Sequence, residues 1–333
     1  MHRWSSLEQT PDTLAPCVAT FGNFDGVHRG HQTVLTAVRT AASRFGVPSV
    51  AVTFDPHPSV IFHPDAQVEI ITPSPLRAEI LESVGLDGLL TLDFDEDFAR
   101  QSARDFIVTT FVQALQIRAL VVGEDAKGFG LDYTGDVTLL RELGEEFGFE
   151  VIVIDDVGDE TRWSSSAVRE HLTDGEVAQA AAILGRPHRF VGEVVHGDHR
   201  GRELGYPTAN MSPDSLGMIP ADGVYAGWLT RLEREAGDPE RTMPAAISIG
   251  TNPTFEGRRA RRVESYVLDR TDLDLYGETV MVEFVDRIRP TLKFDSIDEL
   301  LSAMASDVEH SRQILLHGIV PAAPSSPAAP TPD

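Results

Sequence analysis

Short apolar runs alternate with longer amphipathic stretches through the first half of the chain. Val18 to Phe21, Ser49 to Phe54, Gly88 to Leu92, Ala119 to Val122 and Val151 to Ile154 read as buried strands. Between them, Gln32 to Phe45, Leu76 to Val84, Ala103 to Gln116 and Val137 to Phe147 carry helical spacing. Strand and helix in alternation predict an α/β domain, a parallel sheet with helices on both faces. Ligands in such folds lie beyond the C-terminal strand ends.

Around Gly185-Arg186-Pro187 the pattern changes. Arg189 to Val195, Gly223 to Thr230, Ala245 to Ile249, Val263 to Leu268 and Thr279 to Val285 are rich in β-branched and aromatic residues and are broken by Gly and Pro. Strands without intervening helices predict an antiparallel barrel or sandwich. One helix follows, about Ile297 to Leu316, and the Pro-, Ala- and Ser-rich end predicts a disordered tail.

Composition narrows the function. The 333 residues suffice for two domains with separate cores. A net charge of −24 repels nucleic-acid backbones, so nucleic acid is a poor partner. Phosphate-bearing small molecules stay open, because local amides, a few Arg or Lys and a metal dominate a single pocket. No apolar run has the length of a membrane span, and Met1 to Ser6 do not begin a secretory signal, so no membrane partner is expected. The lone cysteine, Cys17, forms no internal disulfide and reads as a buried thiol, which fits a cytoplasmic protein. A homo-oligomer is left open.

The first strand runs into Gly22-Asn23-Phe24-Asp25-Gly26-Val27-His28-Arg29-Gly30-His31, and a helix follows. The glycines permit tight turns and close approach of backbone amides to a ligand. A helix start aims free N–H groups and partial positive charge at an anion. His28 and His31 share a face if the first helical turn includes both, and paired imidazoles there suit nucleotide phosphates. A metal pair or plain surface polarity are the alternatives; the flanking strand, helix and glycines favour phosphate. In Trp163-Ser164-Ser165-Ser166-Ala167-Val168-Arg169 the serines can cap a helix with Arg169 one turn in. That set clamps triphosphate, or alone is an ordinary cap with a surface Arg.

The second half opens with a loop holding Gly197, Arg200, Gly201, Arg202 and Gly205, then Pro207-Thr208-Ala209-Asn210. It lacks the Gly-Lys-Ser/Thr ending of a Walker loop, and read alone it is a mobile hairpin with solvated arginines. Glu264 lies in an alternating strand, where the pattern by itself makes it an outward carboxylate.

These blocks resemble the prokaryotic bifunctional riboflavin kinase/FAD synthetase family along nearly the whole chain. Gly22 to His31 looks like the His-x-Gly-His signature of nucleotidyltransferases, Thr53-Phe54-Asp55-Pro56-His57-Pro58 like the family's next block, and Trp163 to Arg169 like its serine block. One block departs: Gly123-Glu124-Asp125-Ala126-Lys127-Gly128-Phe129-Gly130 lacks an aromatic and carries an inserted residue. Pro207 to Asn210 matches the riboflavin kinase signature. Pro220 to Tyr225, Ser248 to Phe255, Arg262 to Asp269 and Asp274 to Gly277 follow in the family's order.

The resemblance implies a Rossmann-like nucleotidyltransferase domain over 1–185 and a kinase barrel with a terminal helix over 186–318, which leaves the tail that composition predicts to be disordered over 319–333. It implies ATP as co-substrate, Mg²⁺ as cofactor, and riboflavin, FMN and FAD as ligands. In the first domain His28 and His31 would be catalytic. Gly22, Asn23, Phe24, Asp25, Gly26, Ser164, Ser165, Ser166 and Arg169 would bind ATP, and Asp125 and Phe129 flavin. In the second, Thr208 and Asn210 would hold Mg²⁺, with Asn210 also catalytic, Glu264 would be the base, and Tyr276 would lie near flavin. Gly197, Arg200, Gly201, Arg202, Gly205 and Thr208 would serve ATP there, Gly197 to Arg202 as a flap. The rivals are a kinase with lost or altered adenylylation, a flavin-binding regulator without turnover, and adenylylation of another metabolite.

Overall fold

The apolar runs of the first half become one parallel sheet. Its strands are β1 (His2–Trp4), β2 (Val18–Phe21), β3 (Ser49–Asp55), β4 (Gly88–Asp93) and β5 (Ala119–Gly123). After a hairpin of β6 (Lys127–Phe129) and β7 (Gly135–Asp136) comes β8 (Glu150–Ile154). The strand order β1-β4-β3-β2-β5-β8 reverses direction of growth at β2 and β5, which makes their C-terminal ends the crevice of the sheet. The computed structural model of the chain describes residues 1–62, 69–155, 163–197, 204–253 and 259–317. The tail over 319–333 therefore lies outside the described residues.

Strands β2 to β5 are buried on both faces, as continuous apolar runs require. Helix α1 (Arg29–Phe45) buries Leu35, Val38, Ala41 and Ala42 and stops at Gly46, whose φ of 66° is the left-handed cap. Short helices α2 (Pro58–Phe62), α3 (Ser74–Ser83), α4 (Glu96–Ala99) and α5 (Ala103–Phe106) follow. The helix predicted over Ala103 to Gln116 changes at Ile107 to wider π turns through Ala114, with Leu115 N–H bonded to Thr110 C=O at 3.0 Å. Helix α6 (Val137–Phe147) is capped by Asp136, whose side chain accepts from Leu139 N–H. Helices α7 (Ser165–Asp174) and α8 (Val177–Leu184) complete this half.

The second half closes into a six-stranded antiparallel barrel, which decides between barrel and sandwich. Its strands are β9 (His188–Val195), β10 (Ala209–Met211), β11 (Gly223–Arg231), β12 (Thr242–Pro253), β13 (Arg259–Val267) and β14 (Thr279–Pro290), in the order β10-β13-β12-β11-β14-β9. Tyr225, Ile247, Val282 and Phe284 are fully buried in its wall. Helix α9 (Ile297–His317) is pinned to β14 by Arg289, which donates to both Asp307 oxygens at 2.8 and 2.7 Å. Contacts divide the chain into two compact units. One holds Met1–Glu170, Ala182–Gly185 and Leu216–Met218; the other holds His171–Ala181, Arg186–Ser215 and the described residues from Ile219 onward. Among the described residues no helix is long and apolar enough to cross a membrane.

Gly227 shows how tightly the barrel wall is packed. It lies at a register shift between β11 and β14, and a Cβ there would meet Glu283 C=O at 2.1 Å and Ile247 Cδ1 at 2.4 Å. Gly227→Ala is therefore expected to destabilise the barrel by about 1–3 kcal/mol or more, read as a lowered urea midpoint.

Candidate active sites

The loop after β2 is held in an unusual backbone shape. Phe24 (φ 48°), Gly26 (φ 81°) and Val27 (φ 42°) are all left-handed, and Phe24 and Val27 are buried, so packing enforces the conformation. His28 is the N-cap of α1, outside the helix; its Nδ1 accepts the His31 N–H at 3.4 Å. The two imidazoles nevertheless lie together, stacked with centroids 3.6 Å apart and planes at 22°. A Cβ on Gly30 would come within 3.2 Å of the His28 ring, which would have to give by a few tenths of an ångström. Burial holds the His31 pKa well below its ordinary 6.5, and the neighbouring His28 pushes the same way. His31 Nδ1 is sealed from solvent and has no hydrogen-bond partner among the described residues.

Asp25 proves to be structural glue. Its carboxylate, 1% exposed, accepts from Ile71 N–H at 3.2 Å, from Thr72 N–H at 2.8 Å and from the Thr72 hydroxyl at 3.3 Å, and it pairs with the Arg169 guanidinium. Arg169 also donates Nε–H to Glu69 C=O at 2.9 Å. Ser165 donates its hydroxyl to Asp25 C=O at 2.8 Å, and Ser164 Oγ accepts Ala167 N–H at 3.2 Å, capping α7 as the serine run suggested. Arg77, unforeseen from the sequence, is 2% exposed and braces the same loop through Asn23 C=O at 3.0 Å and Phe54 C=O at 2.7 Å. A charge on the apolar face of a predicted helix was its signal.

These elements surround a cavity of about 570 Å³. Its wall includes His28, His31, Gly22, Asn23 and Phe24 from the first loop, and Ser164, Ser165 and Arg169 from the serine block. Asp125 and Phe129 also line it. Phe129 packs edge-on to Phe21 at 5.1 Å and near Phe106 at 6.4 Å, so the altered loop still delivers an aromatic ring to the wall. Asp25, Gly26 and Ser166 do not line the cavity: Gly26 N–H is spent on the Thr72 hydroxyl at 2.7 Å, and Ser166 is exposed.

In the barrel, strand pairing assembles the second cluster. Asn210 on β10 lies opposite Glu264 on β13. The Thr208 hydroxyl donates to Glu264 Oε2 at 3.3 Å, and Asn210 Nδ2 donates to Thr208 C=O at 3.2 Å. Alternation was right about the face of Glu264: Val263, Ser265 and Val267 are buried, and the half-buried Glu264 points the other way. A Cβ on Gly197 would reach the Asn210 amide at 2.5 Å, so that glycine serves close packing. Gly205 has φ 85°. The Tyr276 ring lies 4.0 Å from His196. Arg200, Gly201 and Arg202 lie outside the described residues. Hydroxyl, amide and carboxylate oxygens in one cluster fit Mg²⁺, which accepts sparse protein ligation because it keeps waters and takes phosphate oxygens.

A parallel sheet with stacked imidazoles at a helix start, and a barrel with an oxygen cluster at its wall, define a two-domain nucleotide-using transferase. The FAD synthetase family model matches residues 10–168, and the riboflavin kinase model residues 184–315. The bifunctional riboflavin kinase/FMN adenylyltransferase of Escherichia coli is 36% identical over 92% of this chain and 95% of that protein. The Pseudomonas fluorescens protein of the same name is 35% identical over 90% and 93%. A crystal structure described as a macrolide-efflux protein from Streptococcus pneumoniae has a TM-score of 0.82 and 34% identity, covering 94% of this chain and 99% of that one. The chain belongs to the bifunctional riboflavin kinase/FMN adenylyltransferase family.

The buried imidazoles predict a pH dependence. His31 and His57 both have folded-state pKa values below 6.5, so the unfolded chain binds their protons more tightly. Stability is then retained above pH 6.5 and falls as pH drops below it. His31→Gln should reduce that fall by up to about 1.4 kcal/mol per pH unit, read from urea midpoints between pH 5 and 7.

Proposed function

We infer that this chain makes FAD from riboflavin in two ATP-dependent steps, the barrel forming FMN and the α/β unit adenylylating it. The observation that carries the inference is that both catalytic family models fall on one chain, in the order in which the two folds occur. The single cysteine, buried with its thiol pushed up to about 12, suits a reducing compartment, and we place the protein in the cytoplasm.

In the kinase step, Glu264 takes the proton of the ribityl 5′-hydroxyl as its oxygen attacks the γ-phosphorus of ATP. The bond to the β-phosphate oxygen breaks, giving FMN and ADP. Thr208 and Asn210 would hold Mg²⁺, which neutralises phosphate charge when bound. Gly197, Gly205, Arg200, Gly201 and Arg202 serve the ATP of this step, and Tyr276 borders the flavin.

In the second step, a phosphate oxygen of FMN attacks the α-phosphorus of ATP and pyrophosphate leaves, with no covalent enzyme intermediate. His28 and the neutral His31 donate hydrogen bonds to phosphate oxygens as charge builds at the α-phosphorus, and the orphaned His31 Nδ1 gains a partner. Gly22, Asn23 and Phe24 shape the nucleotide side, Ser164 and Ser165 add hydroxyls, and Asp125 and Phe129 border the flavin. Asp25, with its carboxylate fully engaged, serves ATP by positioning Arg169.

Purified protein supplied with riboflavin, ATP and Mg²⁺ should yield FMN and then FAD on chromatography. Replacing both His28 and His31 with Ala should cut FAD formation by at least about 10²-fold and spare FMN formation. Thr208→Ala or Asn210→Ala should do the reverse, still converting supplied FMN to FAD. Loss of both activities in a folded variant would overturn the division of labour. Asp25→Ala should raise KM for ATP in FAD formation about 10- to 100-fold, the cost of a charge-assisted hydrogen-bond set, while kinase KM stays unchanged.

A further inference from the structure

The block Thr53 to Pro58 stands at the C-terminal end of β3, beside the histidine loop, because β2 and β3 pair through Phe21 and Val52. His57, 8% exposed, lines the same cavity as His28 and His31. Its Nδ1 accepts Ser59 N–H at 3.2 Å, which in the neutral ring places the proton on Nε2. Among the described residues Nε2–H has no protein acceptor. Burial lowers the His57 pKa; Asp25 opposes that effect, and Arg169 and Arg77 add to it. The ring is thus a neutral donor in the cavity wall, with Nε2–H left for a ligand.

Its place in the cavity says what the acceptor is. Phe54 precedes it and Phe62 follows it, and both rings pack on Phe94, at 5.5 and 5.6 Å, in an aromatic wall. Arg169, His28 and His31 line the same cavity. His57 therefore belongs to a cavity that holds both a surface for a flat apolar ring and groups suited to an anion, with a seam between the two. A ligand with an aromatic ring and a tethered phosphate spans that seam. We propose that His57 donates Nε2–H to the phosphate of FMN, setting this oxyanion in place to meet the α-phosphorus of ATP. A neutral donor orients the attacking oxygen without the added charge that would weaken it as a nucleophile. The proposal rests on reading the first unit as the adenylyltransferase.

The test is steady-state FAD synthesis from FMN and ATP by the full chain, with lumiflavin, a flavin ring without ribityl or phosphate, as competitor. His57→Leu should raise KM for FMN about tenfold or more, leave KM for ATP within about twofold, and leave the Ki of lumiflavin unchanged. His57→Gln, whose amide N–H reaches about as far as Nε2, should keep most of the FMN affinity, whereas the shorter His57→Asn should not. An unchanged far-UV circular dichroism spectrum together with the retained KM for ATP in FAD formation checks folding of the α/β unit, and the Gln and Asn pair decides the matter should Leu misfold. An unchanged KM for FMN, a parallel rise in the lumiflavin Ki, or an effect on ATP alone overturns the proposal. Absence of FAD formation by the unaltered chain would instead overturn the adenylyltransferase reading and this proposal with it.

Discussion

The carboxylate of Asp25 is the point on which the first unit turns. Burying an anion costs several kcal/mol unless every oxygen finds donors. Here the donors come from residues 71–72, just before α3, and from Arg169 in α7, so one charge gathers three distant stretches of chain. Ser165 adds a bond to the Asp25 backbone, and Arg77 braces Asn23 from below. The left-handed backbone at Phe24 and Val27 persists because this network over-determines it. The stacked imidazoles at the start of α1 inherit their position from that brace.

The barrel solves the same problem by register. No deeply buried charge is needed to bring Thr208, Asn210 and Glu264 together, since the pairing of β10 with β13 sets Asn210 against Glu264. Gly197 lets the chain end of β9 press on the Asn210 amide. A one-residue slip would turn Glu264 to the core face, so the closed barrel protects the cluster as much as the fold.

Much of this was legible from the chain. Val18 to Phe21 and Val137 to Phe147 form as their periodicity indicates, because a continuous apolar run and a strongly one-sided helix each have one good way to be buried. His2 to Trp4, Lys127 to Phe129 and Ala209 to Met211 are strands too short to carry a period; pairing with neighbours makes them. The π turns after Phe106 are equally silent in sequence. Among site residues, the glycine and histidine pattern marked the first loop, and the serine run marked a cap. Arg77 shows in sequence only as a charge on an apolar helix face, and the lone imidazole of His57 has no spacing to read; their partners come from packing.

The sequence by itself determined the class: a parallel α/β half, an all-β half, and the motif order of one enzyme family. Local pattern and turn chemistry suffice for that, since they act over a few residues. Only the tertiary structure decided that Asp25 is spent on Arg169 and residues 71–72, that His31 is neutral, and that Phe129 joins Phe21 and Phe106 around the cavity. Desolvation and hydrogen-bond occupancy are set by groups distant in sequence, and packing alone brings those groups together.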